Sequence, residues 1–509
     1  MNRDQITLTN GLTNESLTCG TIAQEAMNLA VSLSRIGVQK GDVIALCSEN
    51  RMEFWPTVIG AACTGAVITT INLGYRKEEF KNVMSISKPK YAIFSPRTFG
   101  DFEKTVRSLN HIHKIILYGE KRQENTLLYN ELARICLNGV LKNNIDFDKF
   151  ETVDVRGQTD TLFVLYSSGT TGLPKGVMLT HLNVIAACSL PVSTDPQETS
   201  IIVTPWYHVM GLIGTLRSLR VASKSVYLPK FDVDTYLKTI EMYKASQLIL
   251  VPPVLVVLSK YQSNHDVSSV KLIISGAAPL HGDTIEAVRK RFTNCEAVLQ
   301  GYGMTESTLA ITRDTYQTVQ SSKHGGVGSI CEGFTVKIVD LETRNPLGPN
   351  QPGEICVKGV MVMKGYIGKD VKEDFDEEGF YKTGDIGYYD QDKYFYIVDR
   401  LKELIKYKGY QVAPAELEAL LLRHPGVRDV GVVALPDETA GEVPLAFVVP
   451  QPGSALTEAE LQKFVVDRVS NPKRLRGGVR FVKEIPKNPS GKILRKVLRK
   501  MIKNTASKL

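Results

Sequence analysis

Short apolar runs alternate with amphipathic stretches between residues 21 and 274, and few folds accept that pattern. Residues 21–24, Thr-Ile-Ala-Gln, form a capping-box pattern that opens a helix to about residue 36, with Gly37 ending it. Apolar runs at 43–47, 67–71 and 91–94 read as strands, separated by helical stretches at 54–63 and 77–86. Further strands are expected at 201–203, 225–228, 247–251 and 271–274, with a helix over 233–243 capped by Asp232. A parallel neighbour strand requires a crossover long enough to hold a helix, so the pattern predicts stacked α/β layers with largely parallel sheets.

After about residue 328 the texture changes to short strands among Gly/Pro turns, at 336–339 and 353–357, which predicts a small β-rich subdomain. A strand at 394–398 is followed by a Lys-rich connection and a further α/β unit, whose helix over 414–423 carries Pro414 in its first turn. The expected organisation is an α/β fold with a large N-terminal domain over 1–400, its β-rich part at about 328–400. A small α+β C-terminal domain takes 401–509, and the boundary falls at 400–402.

With 509 residues, 43% hydrophobic and 23% charged, the chain reads as an ordinary globular protein of more than one domain. The most apolar stretch, 248–258, is short and broken by Pro252 and Pro253, so no membrane span is expected. The N-terminal residues lack the apolar core of a signal peptide. Eight cysteines are scattered without a CxxC or a Cys/His cluster, which argues against zinc and disulfide frameworks and suits a reducing compartment. Residues 471–509 hold thirteen Lys/Arg against one acidic residue, while the rest of the chain is slightly acidic. This tail lacks the interleaved aromatics of a nucleic-acid surface, so it reads either as a solvated basic face or as an attractor of an acidic ligand. The last three residues, Ser507-Lys508-Leu509, form a C-terminal peroxisomal address and predict import by the peroxisomal receptor.

The chemistry begins at Tyr166-Ser167-Ser168-Gly169-Thr170-Thr171-Gly172-Leu173-Pro174-Lys175-Gly176, which follows the apolar run 161–165. Glycines permit close backbone approach, successive backbone N–H groups can converge on an anion, and hydroxyls and a lysine add donors suited to phosphate. The spacing is not the G-x-x-x-x-G-K-[ST] phosphate loop that opens a helix: Pro174 precedes Lys175, and Gly176 stands where Ser or Thr is needed. Alone, the loop could be an ordinary Ser/Gly turn.

The whole string, however, closely resembles the signature loop of the adenylate-forming superfamily, which includes acyl-CoA synthetases, 4-coumarate–CoA ligases and beetle luciferases. Four further stretches match that superfamily in order. They are Ser275-Gly276-Ala277-Ala278-Pro279-Leu280; Gly301-Tyr302-Gly303-Met304-Thr305-Glu306, preceded by Gln300; Tyr381-Lys382-Thr383-Gly384-Asp385 with Val398-Asp399-Arg400-Leu401-Lys402-Glu403-Leu404-Ile405-Lys406; and Pro489-Ser490-Gly491-Lys492-Ile493. The resemblance covers essentially the whole chain.

It implies an enzyme that uses ATP, Mg²⁺ and coenzyme A to activate a carboxylic acid. Ser167 to Gly172 with Lys175 would hold the β- and γ-phosphates, and Glu306 with Thr171 the magnesium. Tyr302 offers a ring for adenine to stack on, Ala277 and Ala278 allow adenine to approach, and Gln300, Gly301, Gly303, Met304 and Thr305 complete that wall. Asp385 would accept two hydrogen bonds from the ribose diol, with Arg400 adding a hydroxyl or phosphate contact. Lys492 would bridge the attacking carboxylate and the α-phosphate. The resemblance also implies that the C-terminal domain is mobile and swings about Lys402 between half-reactions, so that Lys406, Lys408 and Gly409 face the site when the CoA thiol attacks. His208 would lie beside the carboxylate; the bland alternative is a structural histidine.

The acid itself is less legible. Luciferases carry an arginine in a longer segment before the His208 motif, where 183–204 here is compact and has none. Leu309 stands where luciferases place a serine, which makes the pocket more apolar and favours a medium- or long-chain fatty acid. An aryl-acid ligase and a luciferase-type monooxygenase are the enzyme alternatives, and an inactive acyl-adenylate-binding paralogue is the non-enzyme one. Arg217 and Arg220 fall where the family is usually apolar, either exposed or reading a polar group on the substrate. Family members usually begin with a further N-terminal segment, so either this form is short or that segment, which forms part of one wall of the large domain, lies outside this sequence.

Overall fold

A computed structural model describes residues 2–133, 136–137, 140–141, 145–168, 174–191, 198–278, 280, 282–320, 323, 325–408, 410–488 and 491–506. Two large sheets carry the first part of the chain. In the nine-stranded sheet the parallel core runs Ala297–Met304, Leu272–Ser275, Gln247–Leu250, Thr199–Ile202, Lys224–Tyr227 and Ile6–Asn10, with antiparallel strands at both edges. The eight-stranded sheet centres on Thr161–Ser168, Val67–Thr70, Val43–Cys47, Tyr91–Phe94 and Lys114–Leu117, again parallel. The alternation of apolar runs and helices thus produces the parallel layers it predicts.

The two sheets meet through large rings. Trp206 lies 5.2 Å from Phe54, 5.5 Å from Trp55 and 5.0 Å from Tyr227, and all four side chains are buried. Phe54 and Trp55 open the Phe54–Cys63 helix, which packs against the Cys19–Arg35 helix. That first helix starts earlier than the capping pattern at 21–24 implies. Thr18 is its N-cap and accepts from Thr21 N at 3.1 Å. The Val233–Tyr243 helix has Asp232 as its cap, as expected.

Four antiparallel strands, Phe334–Val339, Gly353–Gly359, Tyr381–Tyr389 and Phe395–Arg400, form the β-rich sheet. The next sheet begins at Ile405 and is built on the long hairpin Val427–Asp437 and Gly441–Pro450. Its core is separate, with Leu417, Val430, Val432, Ala446 and Leu461 fully buried. The Pro414–Leu422 helix covers it. The basic tail is not a uniformly solvated face: Arg495 pairs with Glu418, Arg499 with Glu403, Lys473 with Glu416 and Lys487 with Asp429. Among the described residues, no helix is long and apolar enough to cross a membrane.

Candidate active site

Open α/β sheets take ligands at the carboxyl ends of their parallel strands. Strand Ala297–Met304 ends in Gly301-Tyr302-Gly303-Met304 and turns through Thr305–Ser307 into the antiparallel Leu309–Arg313 strand. The turn is tight enough that a Cβ on Gly303 would lie 1.8 Å from the Leu309 carbonyl oxygen, so only glycine fits. Gln300 anchors the strand by donating its backbone N–H to Asp314 Oδ2 at 2.8 Å. Ala277 and Ala278 follow the neighbouring Leu272–Ser275 strand, and Ala277 holds a left-handed φ of 72°. Left-handed backbone costs a non-glycine residue about 1–2 kcal/mol and recurs at functional sites.

Tyr302 reaches across to the β-rich sheet, where its hydroxyl donates to Asp385 Oδ2 at 2.7 Å. Strand register sets Asp385 opposite Arg400, and Arg400 Nε lies 3.2 Å from Asp385 Oδ1. Both carboxylate oxygens are therefore held by side chains. Burial pushes the Asp385 carboxyl up, while Arg400, Tyr302 and Lys492 oppose that shift. Lys492 arrives from the far end of the chain, on a turn in which its backbone N–H donates to Asn488 Oδ1 at 2.8 Å. Burial, with help from Arg400, lowers its ammonium to about 8, while Asp385 and Glu403 pull the other way. Beside it, Gly491 has a φ of 83° and faces the Pro253 ring; a Cβ there would lie 2.0 Å from Pro253 Cγ. The turn bearing Lys492 is thus seated on the Pro252–Lys260 helix of the large domain.

The second half of the site surrounds Glu306, which is buried in the Thr305–Ser307 turn. Its Oε1 accepts from the Tyr366 hydroxyl at 2.8 Å, and that hydroxyl lies 3.0 Å from the Tyr381 hydroxyl. Lys175 Nζ sits 4.3 Å above the Tyr366 ring, a cation–π distance. Burial and Lys369 lower the Lys175 ammonium. The chain does not enter a helix after the glycine-rich segment. It returns as strand Pro174–Thr180, antiparallel to Thr161–Ser168, which puts Ser167 opposite Lys175. Gly169, Thr170, Thr171 and Gly172 lie outside the described residues, as do Pro279, Gly409, Pro489, Ser490 and the Ser507-Lys508-Leu509 tripeptide, and Ser168 is described for its backbone alone.

His208 precedes the Val209–Arg220 helix. The residue is partly accessible, but its Nε2 is buried with no hydrogen-bond partner, and desolvation lowers the imidazole to about 4, so it is neutral at physiological pH. Lys406 and Lys408 are exposed in the C-terminal unit, where their backbone N–H groups donate to Glu442 Oε2 and the Ala440 carbonyl at 2.8 and 2.9 Å. Neither joins the Asp385 cluster. Tyr366 is the side chain that sequence reading passed over. It serves Lys175 and Glu306 at once, but nothing local in Gly365-Tyr366-Ile367 announces a contact sixty residues away.

Buried acid–tyrosine–arginine contacts at a strand end, with two lysines from distant segments, define an enzyme built to hold a nucleotide and neutralise charge on its phosphates. The chain belongs to the AMP-binding enzyme family: residues 2–367 match that family and residues 416–492 match the AMP-binding enzyme C-terminal domain. It is 40% identical over 518 residues to a luciferin 4-monooxygenase of Nipponoluciola cruciata, covering 99% of this chain and 92% of that one. It is 38% identical over 518 residues to 4-coumarate–CoA ligase 1 of Petroselinum crispum, covering 98% and 91%. Among solved structures, ATP-bound MatB from Rhodopseudomonas palustris superposes with a TM-score of 0.87 at 27% identity, covering 99% and 97%. The protein is an adenylate-forming enzyme of the AMP-forming acid–CoA ligase class, with ATP and coenzyme A as co-substrates.

Proposed function

We propose that the protein converts a medium- or long-chain fatty acid to its acyl-CoA through an acyl-adenylate. The observation that carries this reading is the meeting of Lys492 with Asp385, Arg400 and Tyr302. Leu309, partly buried against the main core beside that cluster, supports an apolar acid.

In the first step a carboxylate oxygen attacks the α-phosphorus of ATP, and pyrophosphate leaves with the bonding pair. The carboxylate is a weak nucleophile repelled by the triphosphate, so positioning and charge neutralisation carry the rate. Lys492, held charged below about pH 8, bridges the attacking oxygen and the α-phosphate. Lys175 and the glycine-rich loop hold the departing pyrophosphate. Tyr302 and Asp385 hold adenine and ribose, and the neutral His208 orients the carboxylate without adding charge. Glu306 is a hard oxygen donor fixed by Tyr366, which fits Mg²⁺; bound there, the ion would neutralise phosphate charge. Among the described residues no three acidic, His or Cys side chains cluster as a metal cage, so the phosphates themselves would supply ligands.

In the second step the CoA thiol, losing its proton, attacks the acyl carbonyl and expels AMP. Lys492 occupies the side from which pantetheine would enter, so we place a hinge at Lys402, with 1–400 and 401–509 as the two bodies. Rotation would withdraw Lys492 and bring Lys406, Lys408 and Gly409 to the site. We also take Ser507-Lys508-Leu509 as the signal for peroxisomal import.

A panel of acids assayed for AMP and acyl-CoA, with light recorded in parallel, tests the reading. Fatty acyl-CoA formation supports it, and absence of AMP release with every acid overturns it. The luciferase relative supports a second reading as a monooxygenase, and efficient light from luciferin would favour that. Peroxisomal targeting is tested by a fluorescent fusion with and without the tripeptide.

A further inference from the structure

The Val209–Arg220 helix buries Gly211, Leu212, Ile213 and Thr215 but leaves Met210, Gly214 and Arg217 partly accessible. Positions 210, 214 and 217 lie on one helix face. A Cβ built on Gly214 would meet nothing within 4 Å, so open space lies against that face. That face ends at Arg217, nine residues beyond the N-cap His208 and about 13 Å along the helix axis. The Leu309–Arg313 strand measures a similar depth. Its Leu309 pairs with Met304 at the nucleotide end, and its Arg313 pairs with Gly301, about 13 Å further on in extended chain.

The two arginines meet there. Arg217 Nη2 donates to the Pro191 carbonyl at 2.9 Å and to Leu190 at 3.3 Å, and Arg313 Nη1 donates to the same Pro191 oxygen at 3.1 Å. Arg217 Nε is buried without a partner. Among the described residues no carboxylate pairs with either guanidinium; Asp195 falls in 192–197, outside them. The thiols nearby, Cys188 and Cys331, are held neutral by burial. Pro191 is exposed, so water also reaches the shared carbonyl, but the buried Arg217 Nε is a charged donor that the protein leaves without a partner.

We propose that this arginine pair is an anion site at the far end of the acid groove, and that the preferred substrate is a medium-chain α,ω-dicarboxylic acid. One carboxylate is adenylated near Lys492 while the other is held by Arg217 and Arg313. The inference rests on the acid–CoA ligase reading above and revises its acid, putting a second carboxylate where the fatty acid has its terminal methyl. A long unbranched monocarboxylic acid would instead bury its methyl end against two charged groups.

The test compares kcat/KM for sebacic and decanoic acids, read as AMP release. The wild-type enzyme should favour sebacate at least tenfold, and Arg217→Met should lower the sebacate-to-decanoate ratio by at least tenfold. Should Arg217→Met fail to fold, judged by thermal melting, Arg313→Met takes its place with the same expected direction. Decanoate favoured over sebacate in the wild type, or a ratio unchanged in the variant, overturns the inference while leaving the ligase intact. No AMP release with any acid overturns the ligase reading as well.

Discussion

Tyr302 and Asp385 stand eighty-three residues apart and meet through one hydrogen bond of 2.7 Å that ties a parallel strand end to the β-rich sheet. Tyr302 is contributed by the sheet that positions Glu306, and Asp385 by the sheet whose last residue, Arg400, precedes the proposed hinge. The bond therefore fixes one half of the site relative to the other.

Tyr302→Phe removes the donor and leaves a buried carboxylate with Arg400 as its remaining side-chain partner. The expected cost is about 1–3 kcal/mol of stability, with a raised KM for ATP. Urea denaturation and initial-rate kinetics check this. A variant with unaltered ATP KM would detach this contact from nucleotide binding.

Lys492 and Lys406 should separate the half-reactions. Lys492→Ala should abolish adenylate formation yet spare thioesterification of a supplied acyl-adenylate, and Lys406→Ala should show the opposite bias. In the wild type, adenylation should decline as pH rises through about 8, where Lys492 loses its charge. Pyrophosphate-exchange rates against pH, measured on wild type and Lys492→Arg, test the assignment: the arginine variant should not show that decline.

His208 adds an acid-side dependence to stability. Its folded-state ionisation lies near 4, below the ordinary value of 6.5, so the unfolded chain binds the extra proton between those limits. Stability should fall as pH drops from 6.5 towards 4, and His208→Gln should flatten that slope. Urea unfolding at pH 7 and pH 5 gives the comparison.

Arg495 Nη2 lies 2.8 Å from both Glu418 oxygens, and each side chain is only 10% exposed. Arg495→Met leaves that carboxylate buried and unpaired, with an expected loss of about 3–5 kcal/mol. Calorimetry should locate the loss in the transition of the C-terminal unit. A melting profile equal to wild type would show that Glu418 finds another partner.

Local signals were the legible ones. The Phe54–Cys63 helix and the Val43–Cys47 strand match the sequence reading to the residue, because turns and polar breaks bound them on both sides. The pattern at 21–24 misplaces the first helix's start, because pairing of Ser16–Thr18 into the sheet sets Thr18 as the cap. Strand Thr199–Ile202 begins before its apolar run because Ser200 is buried with its hydroxyl donating to Gln247 at 2.7 Å. Motif residues around Tyr302, Asp385 and Arg400 could be chosen from order alone, and the structure places them together. The Tyr366 hydroxyl on Glu306 and the shared Pro191 carbonyl of Arg217 and Arg313 could not, since each depends on side chains meeting across elements that no local pattern links.

Gly491 offers bare backbone to the Pro253 ring, so that part of the joint between the lobes is a smooth bearing. Parting at Gly491 draws out no side chain of its own, and the neighbouring Lys492 is the one that has to leave the Asp385 cluster. The contact is close enough that a single methyl group added at 491 would act as a wedge between the two lobes.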